Sequence, residues 1–454
     1  MNSAGDHAAA ARPNVVLIFM DDMTHWALRS SQCITPNLDR LRARGTTFTH
    51  AFNQGSMNEA VCMPARQMLI SGLTLFDAQD HFMDVPHIGA QLGQHGYRTY
   101  FTGKWHNEEQ ALENDYDHVG PWAGGMLPST EIGGDAYYRP SEKSNWDPTD
   151  TRRGGHWMQL DDGTVQHSSE RWTDAAVGFI RGHVQEEPFF LHLAYHAPHD
   201  PRQMPQEFLD LYVESDVAIP PNFMPEHPFD NGELEVRDEI LAPLPRTQGA
   251  IQLHRHEYFA ILTHVDREIG RILDALDDIG QTANTLIVFS GDHGLALGEH
   301  GLMGKQNPYD HSIRVPLVFA GPGVPAGKVV DDLVYSGSTY PTICELLGLP
   351  VPAHIGFDSL RPALVDTGSK PRSAVFGAYK SIQRLIRTPS HKLIEYPQSD
   401  IVQLFNLDTD PWEMRDLSGD SAEASRMDAM RELLRAEQRS LGDPLAVSET
   451  SALS

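Results

Sequence analysis

The chain has 454 residues, 40% of them hydrophobic, and a formal net charge of −27 at pH 7; that is enough for one large buried core plus a smaller one. Such a charge repels nucleic acid and anionic membrane at long range, so neither is an expected partner, and an anionic substrate has to be held by locally placed cations, which favours a small or terminal group over a long polyanion. No apolar run approaches the roughly 18 residues of a membrane span, and three cysteines, Cys33, Cys62 and Cys344, cannot all pair and form no Cys-x-x-Cys, which excludes a disulfide scaffold and a zinc knuckle. Residues 1–13 are alanine-rich and polar without an apolar stretch, which predicts no secretory signal and a cytoplasmic location, or a periplasmic or secreted one if the N-terminus is truncated.

Residues 14–20 form a continuous β-branched apolar run, the pattern of a strand buried on both faces of a parallel sheet. It ends in Asp21-Asp22. Adjacent carboxylates at the carboxyl end of a central strand repel one another unless a cation lies between them, and open α/β sheets collect ligands at that edge; the competing reading is a solvated turn. A helix opens at Thr35-Pro36, and 48–58 reads as a polar loop leading to Cys62. Pro64 suits a helical first turn, and Gly72 a helix stop, so Cys62 is expected at a helix N-terminus with Arg66 one turn on. Free N–H groups, the helix dipole and the guanidinium make a thiol there reactive; a small buried cysteine in a cap is the alternative. A phosphatase-type loop would need more residues between Cys62 and Arg66.

Residues 88–94 read as a short helix and 97–101 as the next strand, followed by Gly103-Lys104-Trp105-His106. Lys and His two apart on an extended segment face one side and aim a cation and a titratable base at one point. Residues 107–167 lack periodicity and are rich in Gly, Pro, Asp and Trp, among them Gly133-Gly134 and Arg152-Arg153, which suggests a substrate-facing insertion. Ser168-Ser169-Glu170 reads as the cap of a helix carrying Trp172, Ala176 and Ile180. The strand 188–194 precedes His199, in a turn stiffened by Pro198 and Pro201; His192 and His196 read as structural. Residues 204–246 are proline-rich and acidic, the pattern of a surface excursion. An amphipathic helix over 257–279 leads to the strand 285–289, which ends in Asp292-His293-Gly294. With Asp21-Asp22 these could complete a mainly carboxylate site suited to a hard divalent cation. A glycine-rich loop then delivers Lys305, 315–320 is a further strand, and 339–347 a helix stopped by Gly348. Four short alternating strands between 374 and 407 and a terminal helix over 427–441 indicate a small antiparallel sheet.

The expected fold class is therefore α/β: a large mixed, mainly parallel sheet flanked by helices over 12–365, and a smaller C-terminal antiparallel sheet plus helix over 366–454. Four strands end in residue types that one active site would use.

Cys62-x-Pro64-x-Arg66 followed by Leu69 and Gly72 resembles the signature of the type I sulfatases. Asp21-Asp22, Gly103-Lys104-Trp105-His106, Pro198-His199-x-Pro201, Asp292-His293-Gly294 and Gly304-Lys305 follow the order of that family and of the wider alkaline-phosphatase-like superfamily, so the likeness covers nearly the whole chain. The resemblance implies that Cys62 is oxidised to formylglycine by a formylglycine-generating enzyme. It further implies that Asp21, Asp22, Asp292 and His293, with the modified Cys62, hold a calcium ion, magnesium or manganese being alternatives. Arg66 and Lys104 would hold the aldehyde hydrate, His199 with Lys305 would bind the sulfuryl oxygens and protonate the leaving alcohol, and His106 would take the second hydroxyl's proton. The implied substrate is a small sulfate monoester of a carbohydrate, another small alcohol or a phenol, and a homo-oligomer is left open. Ala65 stands where many relatives have serine. His293 stands where many have asparagine, which puts the chain in an Asp-His subgroup that includes phosphonate and phosphate ester hydrolases; those activities, and a silent sulfate binder that keeps its thiol, are the competing readings.

Overall fold

The computed structural model describes residues 12–127, 146–152, 154–183, 186–368 and 370–446; Gly133, Gly134 and Arg153 of the insertion lie outside them. In chain order the strands are β1 (Asn14–Met20), β2 (Gly45–Phe52), β3 (Gly55–Ser56), β4 (Arg98–Lys104), β5 (His118–Ala123), β6 (Trp157–Gln159), β7 (Val165–His167), β8 (Phe189–Ala194), β9 (Thr285–Gly291), β10 (Arg314–Ala320), β11 (Lys328–Tyr335), β12 (Val375–Tyr379), β13 (Gln383–Arg387), β14 (His391–Tyr396) and β15 (Ile401–Asn406).

Eight of them form one sheet in the order β11-β2-β10-β9-β1-β8-β4-β5. From β9 to β5 all neighbours are parallel, whereas β10 runs antiparallel to both β9 and β2. β1 explains the layering. Its Val16, Ile18 and Met20 enter one core, with Trp172 and the long helix Gln248–Asp278, while Val15, Leu17 and Phe19 enter the opposite one, with Leu69 of the helix Cys62–Ser71. A strand whose alternate side chains both need apolar cover has to be central.

Several expectations are corrected. Residues 48–58 are not a polar loop. β2 occupies the sheet through Phe52, and β3 pairs in parallel with β12 at the edge of the second sheet, in the order β15-β14-β13-β12-β3. The helix Ser168–Gly182 is capped by the ring of His167, which accepts from Ser169 N–H at 3.1 Å, and not by a serine. The long helix begins nine residues before the apolar face predicts, because Thr247 caps it through Ala250 N–H at 3.2 Å and its buried first turns carry paired polar groups such as Arg255 with Glu299 at 3.2 Å. Two strands with no apolar alternation, β5 and β11, are sheet edges, half-exposed on one side and interrupted by a register shift and Asp331-Asp332 on the other.

The small sheet shares a core with the first. Phe52, Met68 and Leu73 pack with Val375, Phe376 and Leu393, and the helix Ala424–Leu441 closes that core with Met430 and Leu434.

β4 and β8 approach closely at Gly103, whose φ is +116° and where an added Cβ would lie 1.8 Å from the Ala194 carbonyl oxygen. Gly103→Ala is therefore expected to lose about 3 kcal/mol or more of stability. Urea denaturation checks this; an unchanged midpoint would contradict it.

Candidate active site

The sheet brings the four predicted strand ends side by side: β9, β1, β8 and β4 are consecutive, and their carboxyl ends carry Asp292-His293, Asp21-Asp22, His199 and Lys104 with His106. Asp22 leaves β1 with φ 62°, a left-handed conformation that aspartate tolerates. It is held there by backbone bonds: its N–H donates to Asp292 Oδ1 at 3.1 Å and its carbonyl accepts from the Tyr258 hydroxyl at 2.8 Å. The Asn53 amide donates to the Asp292 carbonyl at 3.1 Å, which ties β2 to β9 below the site.

The helix Cys62–Ser71 points its N-terminus at this edge and ends at Gly72 with φ 72°. Nine of its ten residues are buried, and Cys62 is 3% exposed. Arg66 reaches back, donating to the Lys104 carbonyl at 3.0 Å and to Asp292 Oδ2 at 3.2 Å, with its guanidinium 5.1 Å from the Phe19 ring centre. Lys104 pairs with the Asp21 carboxylate. Lys305 bridges Asp22 Oδ1 at 2.8 Å and Cys62 Sγ at 3.4 Å. His199 Nε2 stands 3.9 Å from Asp22 Oδ2.

His106 does not share a strand face with Lys104. β4 ends at Lys104, and His106 turns with φ 55°, yet its ring still lines the cleft with Cys62. Gly125 makes room for that ring: an added Cβ would sit 2.5 Å from His106 Nε2. His192 and His196 bond Tyr116 and the Gly124 carbonyl and take structural places.

Charge shapes these groups. Burial alone would raise the Cys62 thiol, but Lys104, Lys305 and His293 outweigh it and hold the thiol well below its ordinary value. At Cys344, burial prevails and pushes the thiol up to about 12. Burial, followed by the charge of Asp21, lifts Asp292 to about 7. For His199 the cost of burial is overcome by Asp22 and Asp200, and its value rises to about 9.

Ligand atoms of Asp21, Asp22, Cys62 and His293 lie within 4.8 Å of one another. Two of these buried groups have unused atoms, Asp21 Oδ1 and His293 Nε2, with no hydrogen-bond partner. Closely set carboxylates with an imidazole and orphaned lone pairs are what a hard divalent cation would satisfy, so the residues fit such an ion. Asp292 sits at the rim of this group, with Oδ1 3.6 Å from His293 Nε2 and both oxygens already accepting protein hydrogen bonds.

One wall of the site is not legible in the sequence. The 204–246 segment is not a surface excursion: Met204, Phe208, Asn222, Asp238, Glu239 and Arg246 are buried. Glu239 accepts from the Met303 and Gly304 N–H groups at 2.9 and 2.8 Å and from Arg246 at 2.8 Å, so it fixes the loop that carries Lys305. Arg237 pairs with the buried Asp200 carboxylate next to His199. The result is an open cleft of about 590 Å³ with Cys62, Lys104, His106, His199 and Lys305 at its floor and Glu233, Glu235, Arg237 and Asp238 along one side. A proline-rich acidic stretch has no periodicity to mark such burial; the only hint is the alternation of acids with Arg237 and Arg246.

The comparisons with known proteins agree with one another. A family model described as Sulfatase matches residues 13–349, and one described as N-sulphoglucosamine sulphohydrolase, C-terminal, matches 298–440. A sulfatase of Formosa agariphila is 28% identical over 93% of this chain and 86% of its own length. An arylsulfatase of Clostridium perfringens is 25% identical over 93% and 94%. Among solved structures, one described as in complex with its substrate D-glucosamine-2-N,6-O-disulfate superposes with a TM-score of 0.73 at 22% identity, over 95% of this chain and 99% of that one. The phosphonate monoester hydrolase of Agrobacterium radiobacter does so with a TM-score of 0.73 at 22% identity, over 95% and 96%.

Proposed function

Because the chain belongs to the sulfatase family, we propose that it hydrolyses a sulfate monoester of a carbohydrate, another small alcohol or a phenol, using a formylglycine made from Cys62 and a bound calcium ion. The observation that carries this reading is the placement of the Cys62 side chain, at a helix N-terminus, among Asp21, Asp22 and His293 at the ends of two parallel strands. Asp21, Asp22 and His293, with Asp292 beside them, would hold the cation; when bound it supplies Lewis acidity to a sulfate oxygen and to the nucleophile. The formylglycine supplies a hydrated aldehyde, with one hydroxyl for attack on sulfur and a second for expelling sulfate.

The chain's own side chains supply the rest. Lys104 and Arg66, locked on Asp21 and Asp292, fix residue 62 and neutralise charge that develops there. Lys305 Nζ, 3.4 Å from the residue 62 side chain, holds the sulfuryl oxygens in the ground state and more strongly as charge accumulates on them. His199 donates a proton from Nε2 to the leaving alcohol oxygen as its bond to sulfur breaks. His106, in the same cleft as residue 62, accepts the hydroxyl proton that has to leave when sulfate departs; positioned proton transfers of this kind contribute about 10²–10⁴-fold each. A formylglycine-generating enzyme is the maturation partner this requires.

Mass spectrometry of the peptide containing residue 62, from protein made in its native host, is expected to show an aldehyde in place of the thiol. Matured protein should turn over aryl sulfates faster than aryl phosphonates. A reversed preference assigns the chain to phosphonate hydrolysis, and a retained thiol with no turnover to a silent sulfate binder; either outcome ends the sulfatase reading.

A further inference from the structure

The group proposed to protonate the leaving alcohol is held by a device that reaches it from the cleft wall. His199 Nδ1 donates to the Asp200 carbonyl at 2.6 Å, and the Asp200 side-chain Oδ1 lies 3.5 Å from the same nitrogen. The His199 carbonyl is held in turn by His156 Nε2 at 2.9 Å. With Nδ1 committed on that side, the free Nε2 is the nitrogen presented to Asp22 and the cleft. The Asp200 carboxylate is buried, and a buried charge needs a countercharge. Arg237 supplies part of it, beside His199 and Arg202, with both Nη atoms, one of them 3.3 Å from Asp200 Oδ1, while Nη1 also donates to Asp238 Oδ1 at 2.9 Å. Two residues after Arg237, Glu239 fixes the Lys305 loop.

We infer that Arg237, acting through Asp200, is a positioning residue for His199 in leaving-group protonation, so that one short piece of the cleft wall orients the groups facing the departing alcohol. The inference rests on the sulfatase reading and assigns Arg237 no contact with the reacting atoms. A planar fork matching a carboxylate sets direction as well as charge. Losing it frees the Asp200 carboxylate to turn away from Nδ1, which removes the charge 3.5 Å from that nitrogen that supports the ring orientation set by the bond to the Asp200 carbonyl, and loosens the aim of Nε2 at the leaving oxygen.

The test compares 4-nitrophenyl sulfate, whose phenolate leaves unaided, with phenyl sulfate, whose leaving group needs the proton. In Arg237→Gln, kcat on phenyl sulfate is expected to fall about 10- to 100-fold, part of what a positioned acid supplies. On 4-nitrophenyl sulfate kcat should fall by less than about threefold, because the nucleophile side is untouched. Arg237→Lys, which keeps the charge and loses the fork, should recover part of the phenyl sulfate rate. Should Arg237→Gln alone fail to fold with a carboxylate stranded in the interior, the double variant Asp200→Asn/Arg237→Gln removes both charges and is expected to show the same selective loss. Equal losses on the two esters, or no loss on phenyl sulfate, overturn the assignment. Wild-type turnover of 4-nitrophenyl sulfate, measured first, tests the sulfatase reading separately.

Discussion

Cys62→Ser is expected to stop after a single sulfate transfer, with steady-state turnover reduced about 10⁴-fold or more, the scale on which losing a covalent nucleophile acts. The substitution removes little else: side-chain volume is nearly kept, and Arg66, Lys104 and Lys305 retain their carboxylate partners. What changes is the number of oxygens residue 62 can present. A hydrated aldehyde has two hydroxyls, so one can take the sulfuryl group while proton loss from the other, to His106, drives sulfate out. A serine has one, and once sulfated it has no internal route to release. The measurement is a rapid-quench time course with an aryl sulfate, together with the mass of the residue 62 peptide. A burst of at most one equivalent and a sulfated serine are expected; sustained turnover by Cys62→Ser would remove the aldehyde from the scheme.

Chelation of divalent cations is expected to lower the thermal unfolding midpoint as well as turnover. Asp21, Asp22 and Asp292 are buried together, and mutual repulsion adds to burial in lifting Asp292 to about 7. An ion seated among them relieves that repulsion and satisfies Asp21 Oδ1 and His293 Nε2. Calcium at a hundred times its dissociation constant would stabilise the fold by about 2.7 kcal/mol if it binds only the native state. Calorimetry with and without a chelator reads this independently of activity. Calcium, magnesium and manganese are compared in turn, and Asp21→Asn should abolish the shift. A midpoint indifferent to all three ions would exclude a resident cation at this site.

Much of the site was legible because chemistry-bearing residues stand directly after strongly apolar runs. Asp21-Asp22 after β1 and Asp292-His293 after β9 need only the rule that parallel strands of one sheet share a ligand-binding edge. His199 and Lys104 follow by the same rule. What could not be read is carried by pairings between residues that no local pattern links. Arg237 and Asp200 are 37 positions apart, and Glu239 and Gly304 65 positions apart; in the sequence each looks like an ordinary solvated charge. The same limit hid β3, two residues long, whose partner strand belongs to the second sheet. Edge strands β5 and β11 escaped because their apolar residues do not alternate with polar ones.

That short strand has a consequence for the order in which the molecule is made. Gly55 and Ser56, six residues ahead of the reactive cysteine's helix, pair with Ala378 and Tyr379, and the Tyr379 hydroxyl donates to the Glu59 carbonyl, 320 positions away in sequence, at 3.4 Å. A ribosome adding about 5–20 residues per second needs tens of seconds to supply that partner after Glu59 has been synthesised. Throughout that interval the lead into residue 62 lacks these ties to the second sheet, and the proposed maturation enzyme would meet the segment before they form. A chain released before its second sheet is translated would keep every side chain proposed to act in catalysis and still lack the stitch that holds the approach to residue 62.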